Sequence, residues 1–169
     1  MEEIEVPTEH LHEAIEEKAK EHETGWSMYV AISTAMVAVL AALAGLMAGH
    51  HSNEALIDQI KASDQWSFYQ AKGIKAEIKA MGVNGVVDAA AVAKYKKDQE
   101  AIKEKAEENE KSSEAHLTHH VLLARSVTLF QVAIAISAIA ILTKRKPMWF
   151  AGLFFSAIGI VFFVLGLLF

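Results

Sequence analysis

The sequence contains no cysteine among its 169 residues. Disulfide bonds, zinc sites with thiolate ligands and cysteine nucleophiles are therefore excluded. The chain has only two prolines and nine glycines, and this scarcity of helix-breaking residues predicts long helices. It also lacks an excess of basic residues: the formal net charge is −5, which argues against a nucleic-acid partner.

Motifs of common enzyme classes are missing as well. The sequence has no glycine-rich phosphate loop, no nucleophile elbow and no metallohydrolase motif. Its apolar segments contain no acidic residue, whereas pumps and proton-coupled transporters use ionisable groups at that depth. We therefore expect neither an enzyme nor an active transporter.

The N-terminal segment, residues 1–25, is acidic. Nine Glu and two Lys fall within the first 23 residues, whereas a secretory signal begins with basic residues before its apolar core. The first apolar run starts only near Trp26. We interpret residues 1–25 as an acidic helix or tail and the run that follows as a retained membrane span.

Three apolar segments, residues 26–49, 121–143 and 148–169, each approach or exceed the roughly 20 residues that a helix needs to cross a bilayer. In a soluble protein, three such segments would leave too little polar chain to cover them. The predicted fold class is therefore an all-α membrane protein with three transmembrane helices, and the lipid bilayer is its first partner.

Residues 50–120 are polar and helical in pattern. The small and apolar residues of the first half recur at spacings near three and four, and they are Leu56, Ile60, Ser67, Ala71, Ile74, Ile78 and Met81. A turn is predicted near residues 81–85, which include Gly82, Asn84 and Gly85. The second half has a weak apolar stripe, so it packs either by alanine contacts or under neighbouring subunits. We predict a water-exposed, coiled-coil-like antiparallel hairpin whose helices continue from span 1 and into span 2.

The loop at residues 144–147 contains the densest basic cluster of the chain, Lys144-Arg145-Lys146. Short basic loops stay on the cytoplasmic side of a membrane. This predicts a cytoplasmic N-terminus and a cytoplasmic 144–147 loop, with the hairpin outside the cytoplasmic membrane.

Small residues form stripes in the spans, where they let helix backbones approach closely. The predicted helix-packing positions are Ala41, Gly45 and Gly49 in span 1 and Gly152, Gly159 and Gly166 in span 3. Packing within one bundle and packing between subunits both fit this pattern. We favour a homo-oligomer, because three spans alone have few ways to use every stripe.

Histidines lie at the start and at the end of the hairpin segment, residues 50–120, which meet at the base of the predicted hairpin. With the turn near Val83, antiparallel pairing places residue 50 opposite residue 116. The candidate metal ligands are then His50, His51, Glu54, His116, His119 and His120. Imidazole with carboxylate suits zinc, copper or iron, and imidazoles also ligate haem iron or bond a quinone head group. The favoured interpretation is instead a pH-sensitive or hydrogen-bonding set, so no cofactor is expected.

One segment of the first hairpin helix concentrates polar and aromatic side chains, as interaction surfaces do. The candidate interaction residues are Asp64, Gln65, Trp66, Tyr69 and Gln70.

The stretch from Trp26 through the first span into GHHSNEALIDQIKASDQWSFYQAKGIKA resembles an uncharacterised bacterial family of small three-span membrane proteins, classed as a domain of unknown function. The resemblance covers most of the chain. It implies the same three spans, long central helices and a bacterial inner-membrane location, and it brings no activity with it.

Our leading hypothesis is a non-enzymatic membrane scaffold, either a homo-oligomer or an accessory subunit of a larger membrane complex. The first alternative is a metal-, haem- or quinone-binding membrane subunit that uses the histidines. The second is an oligomeric pore lined by small and hydroxylic residues such as Ser33 and Thr34.

Overall fold

The computed structural model describes residues 25–82 and 87–168. These residues form three helices: α1 (Gly25–Met81), α2 (Ala89–Thr143) and α3 (Lys146–Leu168). Within those ranges no strand is present, which confirms the all-helical fold class. The acidic segment before Gly25 and the centre of the predicted turn, residues 83–86, lie outside the described residues.

The helix ends follow local signals. After α1 ends at Met81, Gly82 has φ 73°, the left-handed conformation common just past a helix C-terminus. At the start of α2, an Asp88 side-chain oxygen accepts a hydrogen bond of 3.0 Å from the Ala91 backbone N–H, as an N-cap does. Lys144, with φ 54°, separates α2 from α3.

All three helices are long and apolar enough to cross a membrane by length and composition. The helices α1 and α2 contain 57 and 55 residues, far more than one span needs. Each therefore joins a predicted span and one half of the predicted hairpin in a single continuous helix, as the sequence predicts.

The chain divides into two compact units. Unit 1 contains α1 up to Ala44 together with Arg125–Phe162, and unit 2 contains Gly45–Ala124 and Phe163–Phe169. In unit 1 the buried residues combine small side chains with one large ring, and they include Val30, Val37, Ser126, Phe130, Ala133, Ser137, Ala140, Gly152, Ser156 and Gly159.

Unit 2 is built mainly from α1 and α2, and its buried residues are mostly small: Ala48, Ala55, Asp58, Ala62, Ala76, Ala106, Ser113, Leu123 and Gly166. Alanines on facing helices allow a close approach without large side chains between the backbones. The candidate sites predicted within residues 50–120 all lie in this unit.

Candidate functional site

The inward face of α1 in unit 2 carries small residues at intervals of seven. Ala55, Ala62 and Ala76 are buried at these positions, with half-buried Tyr69 between them, and Ala106 of α2 is fully buried. A seven-residue period keeps one stripe of a helix turned towards its partner. We call these four alanines the alanine seam. On α2, Ala106 is the buried alanine of the weak stripe, and coverage of the remaining stripe by neighbouring subunits stays a prediction.

Hydrogen bonds fix the register of the seam. The buried Ser113 hydroxyl of α2 donates to the Ala55 carbonyl of α1 over 2.8 Å. Next to it, the Asp58 carboxylate accepts from the Ser112 hydroxyl at 2.6 Å and from the Lys61 ammonium at 2.9 Å. These bonds, that of Ser112 first, lower the pKa of Asp58 below its ordinary value. This group was not predicted from the sequence, where its only signal is a serine pair within a strongly charged helix.

Some of the predicted interaction residues face α2, and others are exposed. The Trp66 indole N–H donates to a Glu110 carboxylate oxygen over 2.8 Å, and the Trp66 ring meets Tyr69 edge-on at 5.6 Å. Gln65 is half-buried as well, whereas Asp64 and Gln70 are exposed. The aromatic part of the predicted surface therefore helps to hold α1 against α2.

Further along the same pair of helices, polar contacts continue. The Lys72 ammonium lies 2.6 Å from the Asp98 carboxylate, which lowers the pKa of Asp98. The Gln99 side-chain amide donates to the Tyr69 carbonyl over 3.1 Å. The inward face of α1 is thus occupied over most of its length in unit 2.

The opposite face of α1 presents the larger apolar residues. We define the outward stripe as Leu56, Ile60, Ser63, Ser67, Ala71, Ile74 and Ile78, all of which are exposed. The four Leu and Ile residues are between 52% and 61% exposed. The sequence identified most of this periodic stripe correctly, but the stripe does not pack against α2. The alanines do so, because small side chains permit the closer helix approach.

The histidines of unit 2 meet as the antiparallel pairing predicts. The Nδ1 atoms of His51 and His116 are 3.0 Å apart, so one N–H donates to the other nitrogen. The rings of His51 and His119 stack with centroids 4.7 Å apart and planes inclined by 12°. Burial, followed by the charges of His119, His116 and His50, lowers the pKa of His51. The cluster is therefore arranged around a His51 side chain that favours its neutral form.

Two further histidine contacts fix tautomers. His119 Nδ1 donates to the Gly166 carbonyl over 2.9 Å, and His120 Nδ1 donates to the Ala48 carbonyl over 2.8 Å. A neutral ring with its proton on Nδ1 keeps a lone pair on Nε2. Each of these rings can accept a hydrogen bond or bind a metal through Nε2.

The six predicted metal ligands do not converge on one point. Among the residues that the structure describes, no group of three or more His, Asp or Glu side chains is arranged to hold a metal ion. His51, His116 and His119 come together, and His120 is held nearby on α2 by its bond to Ala48. His50 is exposed, with its ring 5.6 Å from that of His51, and Glu54 is half-buried.

The predicted packing glycines of α3 are all buried within the chain. A Cβ atom at Gly152 would lie 2.7 Å from the Ser137 hydroxyl, and one at Gly159 would lie 2.7 Å from a Phe130 ring carbon. In unit 2, a Cβ at Gly166 would lie 2.8 Å from Leu123. These glycines therefore permit close approach of α2 and α3 within a single copy.

The predicted packing ladder of span 1 is different. Gly45 and Gly49 are exposed, Ala41 is half-buried, and a Cβ at Gly49 would meet nothing within 4 Å. The neighbouring Ala44 and Ala48 are the buried small residues of that segment. Packing between copies through Gly45 and Gly49 stays a prediction.

Comparison with known proteins assigns a family but no activity. The chain belongs to the family described as domain of unknown function DUF4337, whose model matches residues 26–169. This confirms the resemblance to a family classed as a domain of unknown function. No curated protein and no solved structure matches the chain.

Proposed function

We propose that this chain is a non-enzymatic membrane scaffold that assembles with itself as a homo-oligomer or serves as an accessory subunit of a larger membrane complex. The observation that carries the proposal is the outward stripe of α1. Its Leu and Ile side chains are exposed on a helical segment whose sequence is too polar to lie in a bilayer. Covering an apolar surface of this kind with another chain lowers the free energy of the assembled state.

The stabilisation expected from burying the outward stripe supports assembly. Fully burying one Leu or Ile side chain contributes roughly 1.5–3 kcal/mol relative to leaving it exposed. The four large residues of the stripe lie on one face, so a single partner helix could cover all of them. The opposite face already packs against α2, which leaves the outward stripe for contacts between chains.

We place the scaffold in the bacterial inner membrane as a multi-pass protein, with the N-terminus and the 144–147 loop in the cytoplasm and the hairpin outside. The basic loop supports this orientation. A cysteine introduced at Lys111 should react with a membrane-impermeant maleimide in intact cells, and one introduced at Lys144 should react only after lysis. The reverse pattern would overturn the orientation.

A second candidate is a membrane subunit that binds a metal, haem or quinone through the histidines. It is favoured by the Nε2 lone pairs that the backbone contacts leave on His119 and His120. Purified protein should then bind cobalt(II) with a visible absorption band, and replacing His116, His119 and His120 with Gln should abolish that band. Absence of cobalt binding in the unaltered protein, together with the absence of haem and quinone from the mildly extracted protein, would reject this candidate.

The pore alternative draws no comparable support. The Ser33 hydroxyl donates to the Val30 carbonyl and accepts from the Trp149 indole N–H, and the Thr34 hydroxyl also donates to Val30. The two bonds to Val30 lie within α1, and the bond from Trp149 joins α3 to α1 in unit 1, so both hydroxyl groups are engaged by the protein itself.

The first test of the scaffold is native mass spectrometry after mild extraction from the membrane. We expect whole multiples of 18.5 kDa, or a defined complex with a foreign subunit. A species of 18.5 kDa alone, from membranes in which chemical cross-linking also yields no larger product, would contradict the proposal.

A further inference from the structure

We propose that the outward stripe of α1 packs against the same stripe of a second copy of this chain, with the two α1 helices parallel and in register. The inference rests on the proposed self-assembly and names its interface.

The spacing of the stripe fits a long contact between two helices. The positions 56, 60, 63, 67, 71, 74 and 78 follow a 4-3-4 step that repeats once, so equivalent residues recur every 11 positions. An 11-residue period corresponds to about 3.67 residues per turn, close to that of a straight helix. The stripe therefore stays on one side of α1 from Leu56 to Ile78, a length of about 33 Å at ~1.5 Å per residue.

The sequence of the hairpin indicates which surface can cover the stripe. Among the described residues of α2 up to His120, Leu117 is the single large apolar side chain that is exposed. Charged residues such as Lys103, Glu107 and Lys111 occupy much of that helix. Ile57 and Phe68 of α1 are also exposed, but they lie outside the outward stripe. The stripe is the longest row of exposed apolar side chains among the described hairpin residues, so an identical stripe is its best match.

The parallel arrangement of the two α1 helices follows from the continuity of α1. Its N-terminal half is long and apolar enough to cross a membrane. Two copies inserted with the same orientation in one bilayer have their α1 helices running the same way. A two-fold axis along the bilayer normal then sets Leu56 beside Leu56 and Ile78 beside Ile78 of the second copy.

The flanking charges favour the same direction. At roughly 100° per residue, Lys75 and Glu77 fall on opposite flanks of the stripe, and both are exposed. Parallel helices bring unlike flanks together, which places Lys75 of one copy near Glu77 of the other. Antiparallel helices bring like flanks together and would lose this pairing of Lys75 with Glu77.

The test is disulfide cross-linking of single-cysteine variants in native membranes, which is clean because the chain has no cysteine of its own. The stripe variants are Leu56→Cys and Ile78→Cys. The control is Lys111→Cys, which is exposed on α2. A disulfide requires Cα atoms within about 7 Å, so we expect at least ~10-fold more cross-linked dimer from either stripe variant than from the control.

Co-expression of Leu56→Cys and Ile78→Cys chains of different tag size tests the direction. Parallel pairing gives disulfides only between identical variants, whereas a mixed Leu56–Ile78 dimer would overturn it. Equal cross-linking of stripe and control, or cross-linking to a foreign protein, would overturn the interface. If the interface is overturned but native mass spectrometry still gives a multiple of the chain mass, the scaffold proposal is retained. A monomer alone would reject both the interface and the scaffold.

Discussion

The two faces of α1 in unit 2 differ in a way that reverses the usual order of burial. The inward face buries Ala55, Ala62 and Ala76 against α2, while the outward face exposes Leu56, Ile60, Ile74 and Ile78. In a simple amphipathic helix the larger apolar residues would be inside. The difference indicates two separate demands on one helix: close approach within the chain, and apolar area for a contact between chains.

The register of α1 against α2 is fixed by polar contacts as well as by the small size of the alanine side chains. Ser113, Asp58 and Trp66 each bond across or along the seam, at positions where alanine contacts alone would tolerate a shift in register. The outward stripe has Ser63 and Ser67 at its centre, but the Ser67 hydroxyl donates to the Ser63 carbonyl of its own helix. Its larger apolar residues are therefore the surface that it offers to a partner.

The same substitution on both faces should give the largest contrast. Ala62→Leu forces an isobutyl group into the seam, and we expect a loss of about 1–3 kcal/mol in unfolding free energy from overpacking. Ala71→Leu lies on the outward stripe, where the residue is exposed, and should leave the fold unchanged while strengthening self-association. Thermal unfolding in detergent measures both variants. Equal destabilisation by the two would remove the distinction between the faces.

A second pair extends the comparison of close and open positions to the glycines. Gly159→Ala places a methyl 2.7 Å from the Phe130 ring in unit 1, so we expect destabilisation of about 1–3 kcal/mol. Gly49→Ala meets nothing within 4 Å and should stabilise helix α1 by roughly 0.5–1 kcal/mol. The melting temperatures of the two variants should therefore move in opposite directions. A rise for Gly159→Ala would show that the contact with Phe130 yields easily.

The Trp66 contact tests whether that ring serves the inward face. Trp66→Phe removes the indole donor to Glu110 and should cost about 1–2 kcal/mol, because the bond is to a charged group that is only partly buried. In a Glu110→Gln background the same substitution should cost less, and a double-mutant cycle measures the difference. Full additivity, together with loss of self-association, would instead return Trp66 to the interaction surface that the sequence predicted.

Acid pH should lower the stability of the packing between α1 and α2, by less than the substitutions above. The bonds to Ser112 and Lys61 lower the pKa of Asp58, so its charged form is favoured in the folded chain. A lowered carboxyl pKa contributes stability above the ordinary Asp range, and that stability is lost as pH falls through this range towards the lower folded value. Asp58→Asn should therefore show a shallower loss of stability between pH 5 and pH 3. Identical pH profiles would exclude this contribution.

The sequence predicted the elements better than their contacts. Apolar length and sparse proline were sufficient for the three helices. Antiparallel counting from the turn predicted residue 50 opposite residue 116, one residue away from the observed contact of His51 with His116. The periodic stripe was visible, but hydrophobicity ranks Ile60 above Ala62, and only the distance between helices decides which of them is buried. The bond from Trp66 to Glu110 spans 44 residues of chain, a separation at which local pattern carries no information.

The central claim is that the outward stripe joins copies of this chain while the alanine seam holds each copy together. The most direct measurement is energy transfer between donor- and acceptor-labelled copies in lipid vesicles, compared for the natural chain and for an Ile60→Asn, Ile74→Asn double variant. Our account predicts that the variant loses most of the transfer while its helix content is retained. Undiminished transfer in a folded double variant would contradict it.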